Sequence, residues 1–223
     1  MRSLITSSFI FSLALQSFVS FADTSTTATV VESSAEQVTD AKAQLMTQLA
    51  KTSFFSADFS QQVFDEQGSK LQQSQGKLIV KKPNLVYWQT TQPDPSLIVS
   101  DGDSLWFYDP FVEQVSVYTV DASIANTPIL LLTSTDELLW QQYAITQEQS
   151  NKYVIKSRDL NSRVAQLTLT FKQGSAILSQ LEILDSTGQT SIVSLENLDS
   201  KTAIDEELFH FTIPEGTYLD DQR

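Results

Sequence analysis

The chain has 223 residues, with 27 Asp and Glu against 14 Lys and Arg, one His, no Cys and a formal net charge of −13. That charge excludes nucleic acid as a partner, because phosphate binding needs clustered Lys and Arg. The absence of Cys excludes disulfides, thiolate catalysis and Cys-bound metals, and a lone His argues against a multi-His metal site or a Ser–His triad. A hydrophobic content of 41% is enough to build a sizeable core, so the chain is globular.

Residues 1–22 read as a removable export signal and not as fold. Arg2 supplies a positive start, and Ile5, Phe9, Ile10, Phe11, Leu13, Leu15, Phe18 and Val19 supply an apolar stretch. Ser20 and Ala22 put small residues at −3 and −1 of a cleavage site before Asp23. Cleavage after Ala22 implies an extracytoplasmic destination, the bacterial periplasm. That space holds no ATP, and the sequence has no Gly-rich phosphate loop. Residues 23–33 are Thr-, Ser- and Ala-rich and read as a flexible leader. Residues 34–223 then form one domain, since no internal repeat or Pro/Gly linker divides them.

Ser33 and Glu36 have the spacing of a capping box, and Val38, Ala41, Leu45 and Leu49 recur on one helical face up to about Lys51. From Phe55 the period changes to two, with Phe55, Ala57 and Phe59 alternating with Ser56, Asp58 and Ser60. Short alternating runs follow at 76–82, 84–89, 97–99, 105–108, 114–120, 143–145, 153–156, 164–171, 177–184 and 191–195. Pro83, Pro93, Pro95, Asp101-Gly102, Asp109-Pro110, Gly174 and Gly188 punctuate them. Such spacing predicts antiparallel sheet, mostly connected by hairpins. Residues 121–135 break the pattern: Ile124, Ile129, Leu130, Leu131 and Leu132 show no period of two, and Pro128 after Asn126 and Thr127 suits a first helical turn. An exposed helix would not be apolar at so many positions, so this segment is buried against the sheet or lies in something that opens.

Acidic pairs are the one catalytic candidate. Asp101, Asp103, Asp109 and Glu113 lie close together, and two carboxylates at a suitable separation can hydrolyse glycosides. Turn chemistry explains them better. His210, in Phe209-His210-Phe211, is expected to be an exposed residue on an alternating strand, and no Gly-x-Ser-x-Gly elbow is present. The expectation is therefore a protein without enzymatic activity, cofactor or metal.

Aromatic residues fall on successive strands: Phe55 and Phe59, then Trp88 on the face of Val86, then Trp106 and Tyr108, or Phe107 on the other face. With the apolar segment above them, they outline an apolar cavity under a helical cover.

Val80-Lys81-Lys82-Pro83-Asn84-Leu85-Val86-Tyr87-Trp88 resembles the strand–Pro–strand motif of the periplasmic outer-membrane lipoprotein carrier family, LolA. The run from Val99 through Asp101-Gly102-Asp103 and Trp106-Phe107-Tyr108 to Gln114 resembles that family as well. So do Asn126-Thr127-Pro128, Trp140-Gln141-Gln142-Tyr143 and Asp220-Asp221-Gln222. The resemblance implies a mainly β, single-domain, unclosed antiparallel β-barrel of about 11 strands, its apolar interior lidded by short α-helices. It implies a monomeric carrier that takes acylated lipoproteins from an inner-membrane ABC transporter and passes them to an outer-membrane receptor. Phe55, Phe59, Val86, Trp88, Leu97 and Trp106 would line the acyl-chain cavity. The lid would be the helix over 35–51 with the 121–132 segment, carrying Leu45, Leu49, Ile129, Leu130, Leu131 and Leu132. Two positions depart from the family. Lys82 stands where the family usually has an Arg that latches the lid, and Lys lacks the planar fork. Val86 stands where Phe is frequent. The remaining alternatives are a carrier of free lipid or another apolar metabolite, and a sensor module of related fold.

Overall fold

The structure is a computed structural model and describes residues 40–124 and 127–223. The signal and leader at 1–33, the Ser33–Glu36 capping box, Val38 and Asn126 lie outside the described residues. Helix α1 covers 40–50 and buries Ala41 and Leu45 on one face, with Met46 and Leu49 half-buried beside them. The spacing of these residues makes an apolar stripe that seats the helix on the sheet.

Among the described residues, twelve strands form a single sheet. They are β1 (Phe54–Phe64), β2 (Lys70–Lys81), β3 (Leu85–Gln92), β4 (Ser96–Asp101), β5 (Ser104–Asp109), β6 (Gln114–Thr119), β7 (Tyr143–Gln149), β8 (Lys152–Ser157), β9 (Val164–Phe171), β10 (Leu178–Asp185), β11 (Thr190–Asp199) and β12 (Tyr218–Asp221). Their order is β12-β6-β5-β4-β3-β2-β1-β11-β10-β9-β8-β7, so β12 and β7 are the two free margins and the sheet does not close. The added strand is β12, which pairs parallel to β6 while every other pair is antiparallel. Among the described residues, three short helices link β6 to β7: α2 (Val120–Ser123), α3 (Pro128–Thr133) and α4 (Glu137–Trp140).

Register fixes which side chains share a face. Val86 stands opposite Val80 and Ser100, and Trp88 opposite Leu78 and Ile98. Ile98 in turn faces Phe107, and Ser100 faces Leu105. These positions form the inner face together with Phe55, Ala57, Phe59, Leu181, Val193 and Leu195, and the buried side chains of α1 and α3 join the same core. Gly76, opposite Phe59 and Thr90, makes that face possible. A β-carbon there would lie 1.8 Å from the Gln89 carbonyl oxygen and 2.9 Å from the Phe59 ring. The vacant space lets Phe59 pack on Trp88, with ring centroids 4.5 Å apart.

The outer face of β3–β6 is apolar too. Val99, Val115 and Val117 are buried there. Phe211 lies 5.6 Å from the Trp106 ring and 5.9 Å from the Tyr108 ring. The segment carrying it includes a 3-10 helix, Glu206–Phe209, with Phe209 buried and Glu206 paired to Lys81. His210 is exposed as expected, but it follows this 3-10 turn and is not on a strand.

Candidate functional site

The side chain at the centre of the site comes from α3. Pro128 occupies the first turn, where its missing N–H costs nothing. Thr133 Oγ1 donates back to the Leu130 carbonyl at 2.8 Å, which satisfies an otherwise buried hydroxyl. Ile129, Leu130, Leu131 and Leu132 are all buried, between 0% and 5% exposed. Four consecutive residues sweep the full circumference of a helix. A helix this short is buried all round only if it is inserted between walls, and α3 packs across β3 from within. The flanking turns hold it there. Thr119 caps α2 by accepting from the Ala122 N–H, Asp136 caps α4 by accepting from the Leu138 N–H, and the buried Trp140 donates its ring N–H to the Ser134 carbonyl.

Helix α1 closes the same face from the other side. Gln48 donates to the Ser175 carbonyl in the β9–β10 turn. Lys82, in the turn just after β2, donates from Nζ to the Leu49 carbonyl at 2.6 Å, near the C-terminal end of α1. An ammonium on the last carbonyls of a helix meets the negative end of its dipole. Lys82 is half-buried, and desolvation pushes its pKa below the ordinary value. Beneath this hydrogen bond lies a cavity of only about 30 Å³, lined by Leu49, Phe55, Val80, Leu132, Phe171 and Leu178 among others, with Lys82 the one charged lining residue among the described residues. The apolar face is therefore occupied by the chain's own side chains.

Beside α3 the face is open. A groove of about 1090 Å³ runs between the two halves of the sheet, with Trp88, Ile98 and Phe107 on one wall and Ile183 on the other, and Ile129 of α3 among its lining residues.

The structure brings together Phe55, Phe59, Val86 and Trp88 on the inner face, and Leu45, Leu49, Ile129, Leu130, Leu131 and Leu132 against it. Leu97 and Trp106 are corrections: both point outward. Leu97 stands opposite Tyr108 and Gln89, and Trp106 opposite Val99 and Val117, on the face covered by Phe211. Ile98 and Phe107 take the inner positions instead. Both phases of alternation are apolar in these strands because the outer face is also covered. The β4–β5 turn carried the missing signal. A two-residue connection at Gly102-Asp103 pairs Ser100 with Leu105, which turns Phe107 inward once Val86 is inward.

The acidic cluster is turn chemistry. Asp101 Oδ1 accepts from the Asp103 and Ser104 N–H groups, and Asp109 Oδ1 accepts from those of Phe111 and Val112. Asp109 also lines the groove, while Asp101 is not among its lining residues.

The geometry defines a class: one open sheet whose apolar face is filled by its own helices. The sequence profile of the family described as outer membrane lipoprotein carrier protein LolA matches residues 50–212, and the chain belongs to that family. The outer-membrane lipoprotein carrier protein of Aeromonas salmonicida (strain A449) is 41% identical over 82% of this chain and 90% of its own length. The protein of the same name from Actinobacillus succinogenes is 39% identical over 82% of this chain and 87% of its own. Among solved structures, an uncharacterized conserved protein from Thermus thermophilus shares the fold with a TM-score of 0.50 and 10% identity, covering 81% of this chain and 99% of that one.

Proposed function

We propose that this protein is a periplasmic carrier without catalytic activity, which shields the acyl chains of lipoproteins between an inner-membrane ABC transporter and an outer-membrane receptor. The observation that carries this reading is the burial of four consecutive apolar residues of α3 on a sheet face that would otherwise be bare. Family membership and the names of the relatives support it. Residues 1–22 would be the export signal cleaved after Ala22, 23–33 a flexible leader, and 34–223 the carrier domain.

The physics sets the task. At about 0.8 kcal/mol per CH₂, exposing one chain of about 16 carbons to water costs on the order of 12 kcal/mol. A carrier must offer comparable apolar area and still let go without nucleotide energy. In the closed state Ile129, Leu130, Leu131 and Leu132, with Leu45 and Leu49 of α1, occupy the inner face. Cargo must displace them, so net binding is the difference between two apolar contacts. Lys82 is the latch that fixes the closed state by holding α1. Phe55, Phe59, Val86 and Trp88, with Ile98 and Phe107, are the wall on which acyl chains would lie.

The test adds residues 23–223 to spheroplasts carrying a tagged outer-membrane lipoprotein. The expected result is the lipoprotein in the soluble fraction as a 1:1 complex. No release, with native mass spectrometry showing free lipid bound instead, would replace lipoprotein by a free-lipid cargo.

A further inference from the structure

The inner face changes character along the strands. Toward α1 it reads Phe55, Ala57 and Phe59 on β1, Val80 and Leu78 on β2, and Val86 and Trp88 on β3. At the next inward positions it turns polar: Gln61 on β1, Ser74 and Gln72 on β2, Thr90 on β3 and Ser96 on β4. The residues lie on four neighbouring strands, with Gly76 standing opposite Thr90 and Val63 opposite Gln72. Gln61 stands opposite Ser74, whose buried hydroxyl donates to Gln61 Oε1 at 3.4 Å, and Thr90 stands opposite Ser96. All of these residues line the open groove, and none is charged. Asp94, Asp109 and Arg163 are the charged lining residues, and Asp109 is committed to its own turn.

A groove meant for hydrocarbon alone has no use for a row of amides and hydroxyls. A groove meant for an anion or cation would carry the opposite charge. Neutral Gln, Ser and Thr offer both donors and acceptors, which suits ester and amide carbonyls and peptide N–H groups of any sequence. The geometry points to a second subsite: the row Gln61, Gln72, Ser74, Thr90 and Ser96 holds the polar head of an acylated N-terminus, meaning its ester and amide groups and the first extended peptide residues. This rests on the lipoprotein reading above and orients the cargo within it, acyl chains toward α1 and α3 and peptide leaving over the polar row. Neutral readout explains how one groove would accept many cargoes whose leading side chains differ in charge.

The probes are a synthetic triacylated Cys-Ser-Ser-Gly lipopeptide and the matching triacylated Cys methyl ester without peptide. The variant is Gln72→Leu with Thr90→Val, two substitutions at accessible strand positions that keep β propensity; Gln61 is left intact because Ser74 depends on it. Wild type is expected to bind the lipopeptide about tenfold more tightly than the methyl ester, which corresponds to one or two net hydrogen bonds. The variant is expected to lose that preference, with its affinity for the methyl ester, whose ester and amide groups still meet the row, falling less than its affinity for the lipopeptide. A photo-crosslinking residue at position 72 should label the peptide and one at position 98 the acyl chains. Equal preference in wild type and variant, or acyl labelling from position 72, overturns the subsite and leaves the carrier reading standing. Failure of wild type to bind either probe removes both.

Discussion

Lys82 is one donor in place of a fork. It reaches a single carbonyl, that of Leu49, and it does so half-desolvated. Lys82→Ala should therefore weaken the closed state by about 1–2 kcal/mol. On the proposed reading cargo binds the open state, so apparent cargo affinity should rise about 5–30-fold, and amide exchange in 40–50 should quicken. Lys82→Arg restores a donor and should restore protection; unchanged exchange in the alanine variant would show that the bond does not hold α1. A second charged contact has a plain pH signature. Arg223 donates to both carboxylate oxygens of Asp221 and lies 5.4 Å over the Trp106 ring. Its hydrogen bonds pull the Asp221 pKa from 3.8 down to about 2. A depressed acid stabilises the docked tail above its unfolded value and loses that contribution as pH falls through the depressed one. Carbon-detected NMR of the Asp221 carboxyl should titrate near pH 2 and move back toward 3.8 in Arg223→Ala. Because Asp221 is exposed, the effect belongs to β12 and not to global stability.

Helix α3 behaves as a replaceable part of the core. Leu130→Ala removes a fully buried side chain, which costs about 2–5 kcal/mol when the surroundings cannot relax. If α3 is a lid, that cost falls on closure: exchange in 128–133 should rise and lipid affinity increase, while the cooperative urea transition of the sheet stays in place. A fall of the whole urea midpoint with no gain in affinity would make α3 ordinary core. The strands around it were legible from alternation, and α3 from its unbroken apolar run after Pro128. The inward phase of β4 and β5 was not, because Leu97, Ile98, Trp106 and Phe107 are all apolar and the cover on the outer face comes from residues around Phe209 and Phe211, far along the chain. Alternation names two faces without saying which is inside. The parallel pairing of β12 was equally invisible, since four residues beside β6 leave no pattern of their own.

At the scale of the whole molecule the excess of acid sets how it meets other proteins. A net charge of −13 opposes self-association of an apolar-faced protein and its approach to anionic membranes. It also favours approach to basic partner surfaces. Cargo release from spheroplasts should then slow about tenfold between low salt and about 0.5 M salt, as screening shortens the reach of the field; a rate indifferent to salt would assign the acids to solubility alone. The margins at β7 and β12, unpaired among the described residues, have a further consequence. A closed barrel has its girth set by strand number and shear, and it cannot widen without breaking hydrogen bonds. An open one spreads by untwisting, with every ladder intact. For the proposed carrier this would make capacity elastic: a bulkier load would be met by bending the wall and not by rebuilding it, and the recoil of that wall would favour unloading.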